Sequence, residues 1–110
     1  MKITKTEKYT TLKPDEESLN IFLNNLEKSI FNFKGEHLIL DFSEKINVNL
    51  KELLLFLKLS EGHRQNGTSF VIIFEGIDID EIPDEINVVP TFTEALDILE
   101  MDAIERDLGF

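Results

Sequence analysis

Two histidines, one acidic run and one polar loop are the parts of this chain whose residue types could do chemistry. Zinc takes three or four Cys, His or carboxylate ligands at close spacing. His37 opens one apolar run and His63 closes another, and the chain has no cysteine. They read as a surface histidine and a helix-end histidine. The run Asp78, Asp80, Glu81, Asp84 and Glu85 has the charge for calcium, but an EF-hand loop needs glycine at its sixth position and a carboxylate at its twelfth. Counted from Asp78, those positions hold Pro83 and Val89. The run therefore reads as a solvated loop with Ile77, Ile79 and Ile82 turned inward. Nucleophilic catalysis lacks a cysteine, a Gly-x-Ser-x-Gly elbow and a group to orient a histidine. The five glycines stand singly, so no Gly-rich loop is present to cradle phosphate. The expectation is a protein that is not an enzyme, with no catalytic residue, metal site or cofactor.

The polar loop is the better candidate for function. HLILDF (37–42) is an apolar run of the kind that forms a strand buried on both faces. SEKINVN follows, then the apolar helix LKELLLFLKLSEGH, the Asn66–Gly67 turn and a second apolar strand, Phe70 to Phe74. Strand, helix and strand in this order imply a parallel pair with a right-handed crossover. The loop after the first strand then lies at the carboxyl edge of the sheet, where ligands usually bind. Within the helix, Leu50, Leu53, Leu54 and Leu57 form the sector expected to face the sheet. Leu55 and Leu59 fall opposite, with Phe56 beside them. A mixed polar and apolar patch follows: Ser43, Asn47 and Asn49 from the loop, Lys51 and Glu52 from the helix start, then Leu55 and Leu59. Exposed apolar patches of this kind mark interaction sites, so the expected ligand is a protein; the alternatives are that Leu55 and Leu59 pack under a neighbouring helix or that the helix has another phase.

Charge narrows the partner. The chain carries 11 Lys and Arg against 22 Asp and Glu, a net charge of −11. Phosphate-backbone binding needs a basic face, so direct nucleic-acid binding is not expected. No apolar run approaches the roughly 20 residues of a membrane helix. The amino-terminal segment MKITKTEKYTTL alternates apolar and polar residues and lacks a signal-peptide apolar region. With no cysteine, the expected location is cytoplasmic.

The remaining elements complete one domain over 1–110. Lys2 to Leu12 reads as one or two strands anchored by Ile3, Tyr9 and Leu12. Pro14, Asp15, Glu16 and Glu17 read as the first turn of a helix. Its apolar face is Leu19, Phe22, Leu23, Leu26, Ile30 and Phe33, and Gly35 ends it. A short Val88–Val89 strand leads to Pro90. Thr91 stands three residues before Glu94, as in a capping box. The last helix runs to about Asp107, with Ala95, Leu96, Leu99 and Ala103 on one face and Gly109 as its stop.

This order of elements, together with LILDFSE, LKELLLFLKLSEGHRQNGTSFVII and NVVPTFTEALDIL, resembles a STAS domain over about residues 37 to 100. STAS domains form anti-sigma-factor antagonists and sulfate-transporter tails. The resemblance implies an α/β fold with a mixed, mostly parallel sheet and packed helices, and a regulatory, protein-binding role. The family's central helix starts at a turn whose Ser or Thr is phosphorylated. Here the matching residues are Asn49, Leu50, Lys51 and Glu52, with no hydroxyl, so the phosphorylation switch is not carried over. Ser43 lies near the same edge but not at that position. The segment after the second buried strand is also short, GIDIDEIPDEI, where the family has a full helix. The acidic last helix and ERDLGF tail are similar to those of short chains labelled ribonuclease Z. That enzyme class binds zinc through His-x-His-x-Asp-His and further histidines, which this chain lacks. The alternatives are thus an accessory partner of an RNA-processing enzyme such as ribonuclease Z, or a small-ligand-binding STAS-like domain.

Overall fold

The computed structural model describes residues 1–44 and 48–109, the side chain of Ile79 excepted. Five strands form one sheet in the order β1 (Lys2–Lys5), β2 (Thr10–Lys13), β3 (Leu38–Asp41), β4 (Phe70–Ile73) and β5 (Asn87–Val89). β1 is antiparallel to β2, and the other neighbours are parallel. Four helices accompany them: α1 (Leu19–Ser29), α2 (Leu50–Leu54), α3 (Leu57–Gln65) and α4 (Phe92–Asp107). This is the expected α/β fold with a mixed, mostly parallel sheet. No helix is long and apolar enough to cross a membrane among the described residues.

Burial explains the apolar runs. In a strand, successive side chains point to opposite faces. Leu38, Leu40, Phe70 and Ile72 meet α1, α2 and α3 on one face, whereas Ile39, Val71 and Ile73 meet α4 on the other. β3 and β4 pair in register from Leu38 with Phe70 to Asp41 with Ile73, and only Asp41 of these eight residues is not buried. The edge strand β1 is exposed throughout, including Ile3, which is not the anchor that its apolar character suggested. Its lysines discourage further strand pairing.

α1 starts later than Pro14 suggested. Ser18 is its N-cap, accepting from the Ile21 N–H at 3.2 Å. The carboxylates before it serve another purpose. Glu16 accepts from Asn25 Nδ2 at 2.8 Å and pairs with the Met1 amino group at 3.0 Å, and Asp15 also binds that amino group. Burial alone would raise the pKa of Glu16. The donation from Asn25 and the amino group outweighs it and lowers the pKa to about 2. Gly35 ends the short 3₁₀ turn Ile30–Phe33 with φ +84°, a conformation that costs other residues energy.

The central helix is broken and rotated relative to the sequence reading. α2 ends in tight turns, with Leu55 N–H donating to Glu52 O at 3.2 Å and Phe56 N–H to Leu53 O at 3.0 Å. The buried seam is Leu53, Phe56, Ser60 and His63, spaced three, four and three. Leu50, Leu54 and Leu57, expected to face the sheet, are only half-buried. Phe56 is fully buried, with ring centroids 5.4 Å from Phe42 and 6.0 Å from Phe22. An aromatic ring fills this space better than a leucine, so it sets the helix phase. Ser60 is the cost: its Oγ is buried and has no hydrogen-bond partner among the described residues.

Candidate functional site

The patch expected at the carboxyl edge is only partly available. Ser43 is exposed, and its N–H donates to Asp41 Oδ1 at 2.9 Å. Asn47 lies outside the described residues. Asn49 and Glu52 are engaged with each other's backbone: Asn49 Oδ1 accepts from Glu52 N–H at 2.9 Å, and Glu52 Oε1 accepts from Asn49 N–H at 3.2 Å. This reciprocal capping box starts α2. Lys51 is exposed, and Leu55 is 51% exposed. Leu59 is half-buried against the core and shares a recess with Ile30 and Phe31, so it does not extend Leu55 into a strip.

The polar chemistry gathers at the opposite edge, around the amino ends of the parallel strands. Glu36 accepts from the Thr10 hydroxyl and pairs with Lys5 Nζ at 3.2 Å. These two donors hold its carboxyl below the usual range, the Thr10 hydroxyl most strongly. His63 stands in the last turn of α3, as expected of a helix-end histidine, and is buried, whereas His37, read as a surface residue, is half-buried. The Nε2 of His63 lies 2.6 Å from the Glu36 carbonyl oxygen. A carbonyl only accepts, so Nε2 carries the proton. The His63 carbonyl in turn accepts from Thr68 Oγ1 at 2.6 Å. His37 has the same tautomer for the converse reason: Nδ1 accepts from the Ser69 N–H at 2.9 Å, so its ring proton is on Nε2. Burial lowers the pKa of both rings. The Arg106 guanidinium adds to the effect at His37.

Ser69, His37 and Asp102 meet here, although nothing in their spacing announced it. Ser69 Oγ donates to Asp102 Oδ2 at 2.7 Å. A catalytic triad needs the hydroxyl on one imidazole nitrogen and the carboxylate on the other. Here the carboxylate takes the hydroxyl directly, the imidazole takes a backbone N–H, and Ser69 is buried. The arrangement joins β3, β4 and α4 and does not activate a nucleophile. No group of three or more His, Asp or Glu side chains is placed to hold a metal ion among the described residues.

Two of the grooves at this edge flank α4. One, of about 580 Å³, lies between α3 and α4, where Arg64 Nη1 donates to the Glu85 carbonyl at 2.7 Å and carboxylates outnumber arginines. The other, of about 540 Å³, runs along α4 beside Tyr9 and His37. A different surface lies on the outer side of α4. Met101, Ile104 and Leu108 are 56%, 59% and 66% exposed and are spaced three and four, so they form one stripe. It lies opposite Ala95, Leu96 and Leu99, which meet the sheet as expected. No protein-family model matches the chain, and no curated protein is significantly similar to it.

Proposed function

We propose that this protein is a non-catalytic protein-interaction module of the STAS kind, and that its contact surface is the outer face of α4. The observation that carries this reading is the exposed stripe Met101, Ile104 and Leu108 on a helix whose opposite side already covers the sheet. Apolar side chains at this spacing suit helix-on-helix docking. Asp97, Glu100 and Glu105 flank the stripe, and the whole chain carries −11. A second copy would bring like charges together at the rim. A basic amphipathic helix would bring opposite charges together and is the partner that fits. Leu55 and Lys51, exposed at the carboxyl edge, are a separate surface. The regulatory resemblance is kept here without a phosphorylation switch, because Asn49, Leu50, Lys51 and Glu52 offer no hydroxyl.

The test is a titration with a helical peptide carrying leucines at i, i+3 and i+7 and lysines on both flanks. Amide shifts should move saturably along Phe92–Asp107, binding should weaken with salt, and Ile104→Asp should weaken it by about tenfold or more, equivalent to about 1.4 kcal/mol. Equal binding by Ile104→Asp would overturn the assignment of the surface. Self-association of the protein through the same helix, seen by sedimentation, would overturn the choice of partner.

A further inference from the structure

The groove on the inner side of α4 has polar groups that the interaction module does not use. Part of its lining is apolar: Leu96, Leu99 and Ala103, at spacings of three and four along α4, and Tyr9. His37 and Arg106 line it too, and Arg106 also lines the neighbouring groove. Because Ser69 N–H occupies Nδ1, the Nε2–H of His37 is a fixed donor, and it has no acceptor among the described residues. Arg106 makes no ion pair among the described residues either. The carboxylate one turn earlier, Asp102, is occupied by the Ser69 hydroxyl. The guanidinium is close enough to His37 to help depress its ionisation. Two N–H donors therefore line one groove of about 540 Å³ together with Tyr9, Leu96, Leu99 and Ala103, within the size range of small-molecule sites.

We infer that this groove binds a small monocarboxylate with an apolar body, the carboxylate between Arg106 and His37 Nε2–H and the body along Tyr9, Leu96 and Leu99. A guanidinium offers paired donors that match a carboxylate. A cationic ligand would meet Arg106 and Lys8, and a dianion would meet Glu7 and Glu100 on the same rim. The lining's two cations and two carboxylates balance, so the choice of a monoanion rests on the guanidinium and the free His37 N–H and not on net charge. The site is distinct from the outer stripe, because none of Met101, Ile104 and Leu108 lines it.

The probe is 4-phenylbutanoate, titrated against the intact protein and followed by amide and histidine-ring NMR. Its uncharged amide and inorganic phosphate are the controls. The expected result is a saturable shift at His37, Leu99 and Ala103 through millimolar concentrations. The amide should bind about tenfold or more weakly, and phosphate should not compete. Arg106→Gln should weaken binding by a similar factor with thermal unfolding unchanged, and Ala103→Phe, which fills the trough, should abolish it. Ile104→Asp should leave it intact, which separates failure of this site from failure of the docking face. Equal binding of the amide, undiminished binding by Arg106→Gln, or shifts confined to Glu61, Asp84 and Glu105 in the neighbouring groove would each overturn the proposal. So would the absence of any saturable shift.

Discussion

Phe56→Ala should be the most damaging substitution in the central helix, more so than any leucine there. The ring is fully buried and forms a three-ring cluster with Phe22 and Phe42, whose centroids are 5.7 Å apart. Truncating a buried phenylalanine costs about 3–5 kcal/mol. Aromatic pairs add about 0.5–1.5 kcal/mol beyond their buried area, which places this site toward the upper end. With about 2.1 cal/mol/K of unfolding entropy per residue, a 110-residue chain loses about 13–22 °C of melting temperature for such a change. Leu53→Ala, also buried, should cost about 2–5 kcal/mol. Leu55→Ala should stay within about 0.5 kcal/mol, and Leu59→Ala should fall between, at about 1–2 kcal/mol. Urea titrations read by circular dichroism, with an unchanged dependence on urea concentration, give the series directly. The reasoning fails if Leu54→Ala or Leu57→Ala costs more than Phe56→Ala. That order would restore the sector built on Leu50, Leu53, Leu54 and Leu57.

Stability should fall in two stages on acidification. His37 and His63 are held neutral in the fold, so below their ordinary pKa of 6.5 the unfolded chain takes up protons that the folded chain resists. Their contribution is present above that pH and is lost as pH falls, with a slope of at most about 1.4 kcal/mol per pH unit for each ring. The depressed carboxyls of Glu16 and Glu36 add a second loss below their ordinary 4.5. Urea midpoints should therefore be flat above neutrality and fall through the histidine range, and replacing both histidines with glutamine should remove that upper stage. A flat profile down to the carboxylate range would refute the assignment. Asn49→Ala should cost about 0.5–2 kcal/mol through loss of the α2 cap. A protein-binding defect in that variant without loss of stability would show that Asn49 belongs to a contact surface and not to the cap.

The elements were readable because their signals are local. The apolar runs at 38–41 and 70–73, the glycine stops and Thr91 as the cap of α4 follow from period, backbone freedom and capping chemistry. The helix phase was not readable, because Ser60 and His63 occupy core positions that polarity marks as surface. His63 is admitted by its bond to the Glu36 carbonyl, a partner 27 residues away that no local pattern encodes. The same holds for the capping box of α2. Asn49 and Glu52 have a capping spacing, yet at a strand-to-helix loop they also have the composition of a binding surface. The cluster at the amino ends is assembled entirely by tertiary contact: Thr10, the adjacent pair Glu36 and His37, Ser69 and Asp102 come from four separate stretches of the chain. The stripe Met101, Ile104 and Leu108 did have a signal, since apolar residues at spacings of three and four stand on a helix already supplied with another apolar face.

The groove follows from the topology itself. Strands β2 to β5 are neighbours in chain order, so same-handed crossovers between them deliver their connections to one face. α1, α2 and α3 lie there, joined by Ile77, Ile82 and Ile86 from the short segment before β5. Nothing between the strands can reach the other face. Only the chain that leaves β5 can cover it, and α4 does so alone, over Ile39, Val71 and Ile73. A single helix is about 10 Å across, whereas five strands spaced about 4.8 Å apart span roughly twice that. The face must therefore stay open beside α4 unless its strands become polar. Toward β1 they do, with Thr4 opposite Thr11 and Lys2 opposite Lys13. At the amino end they do not: Tyr9 remains, half-buried, with its ring 5.7 Å from that of Phe92. The trough between Tyr9 and α4 is thus a stretch of this face that kept an apolar lining without a second helix to cover it. A ligand body there would take the place of the missing cover, and Arg106 with His37 would set its charge.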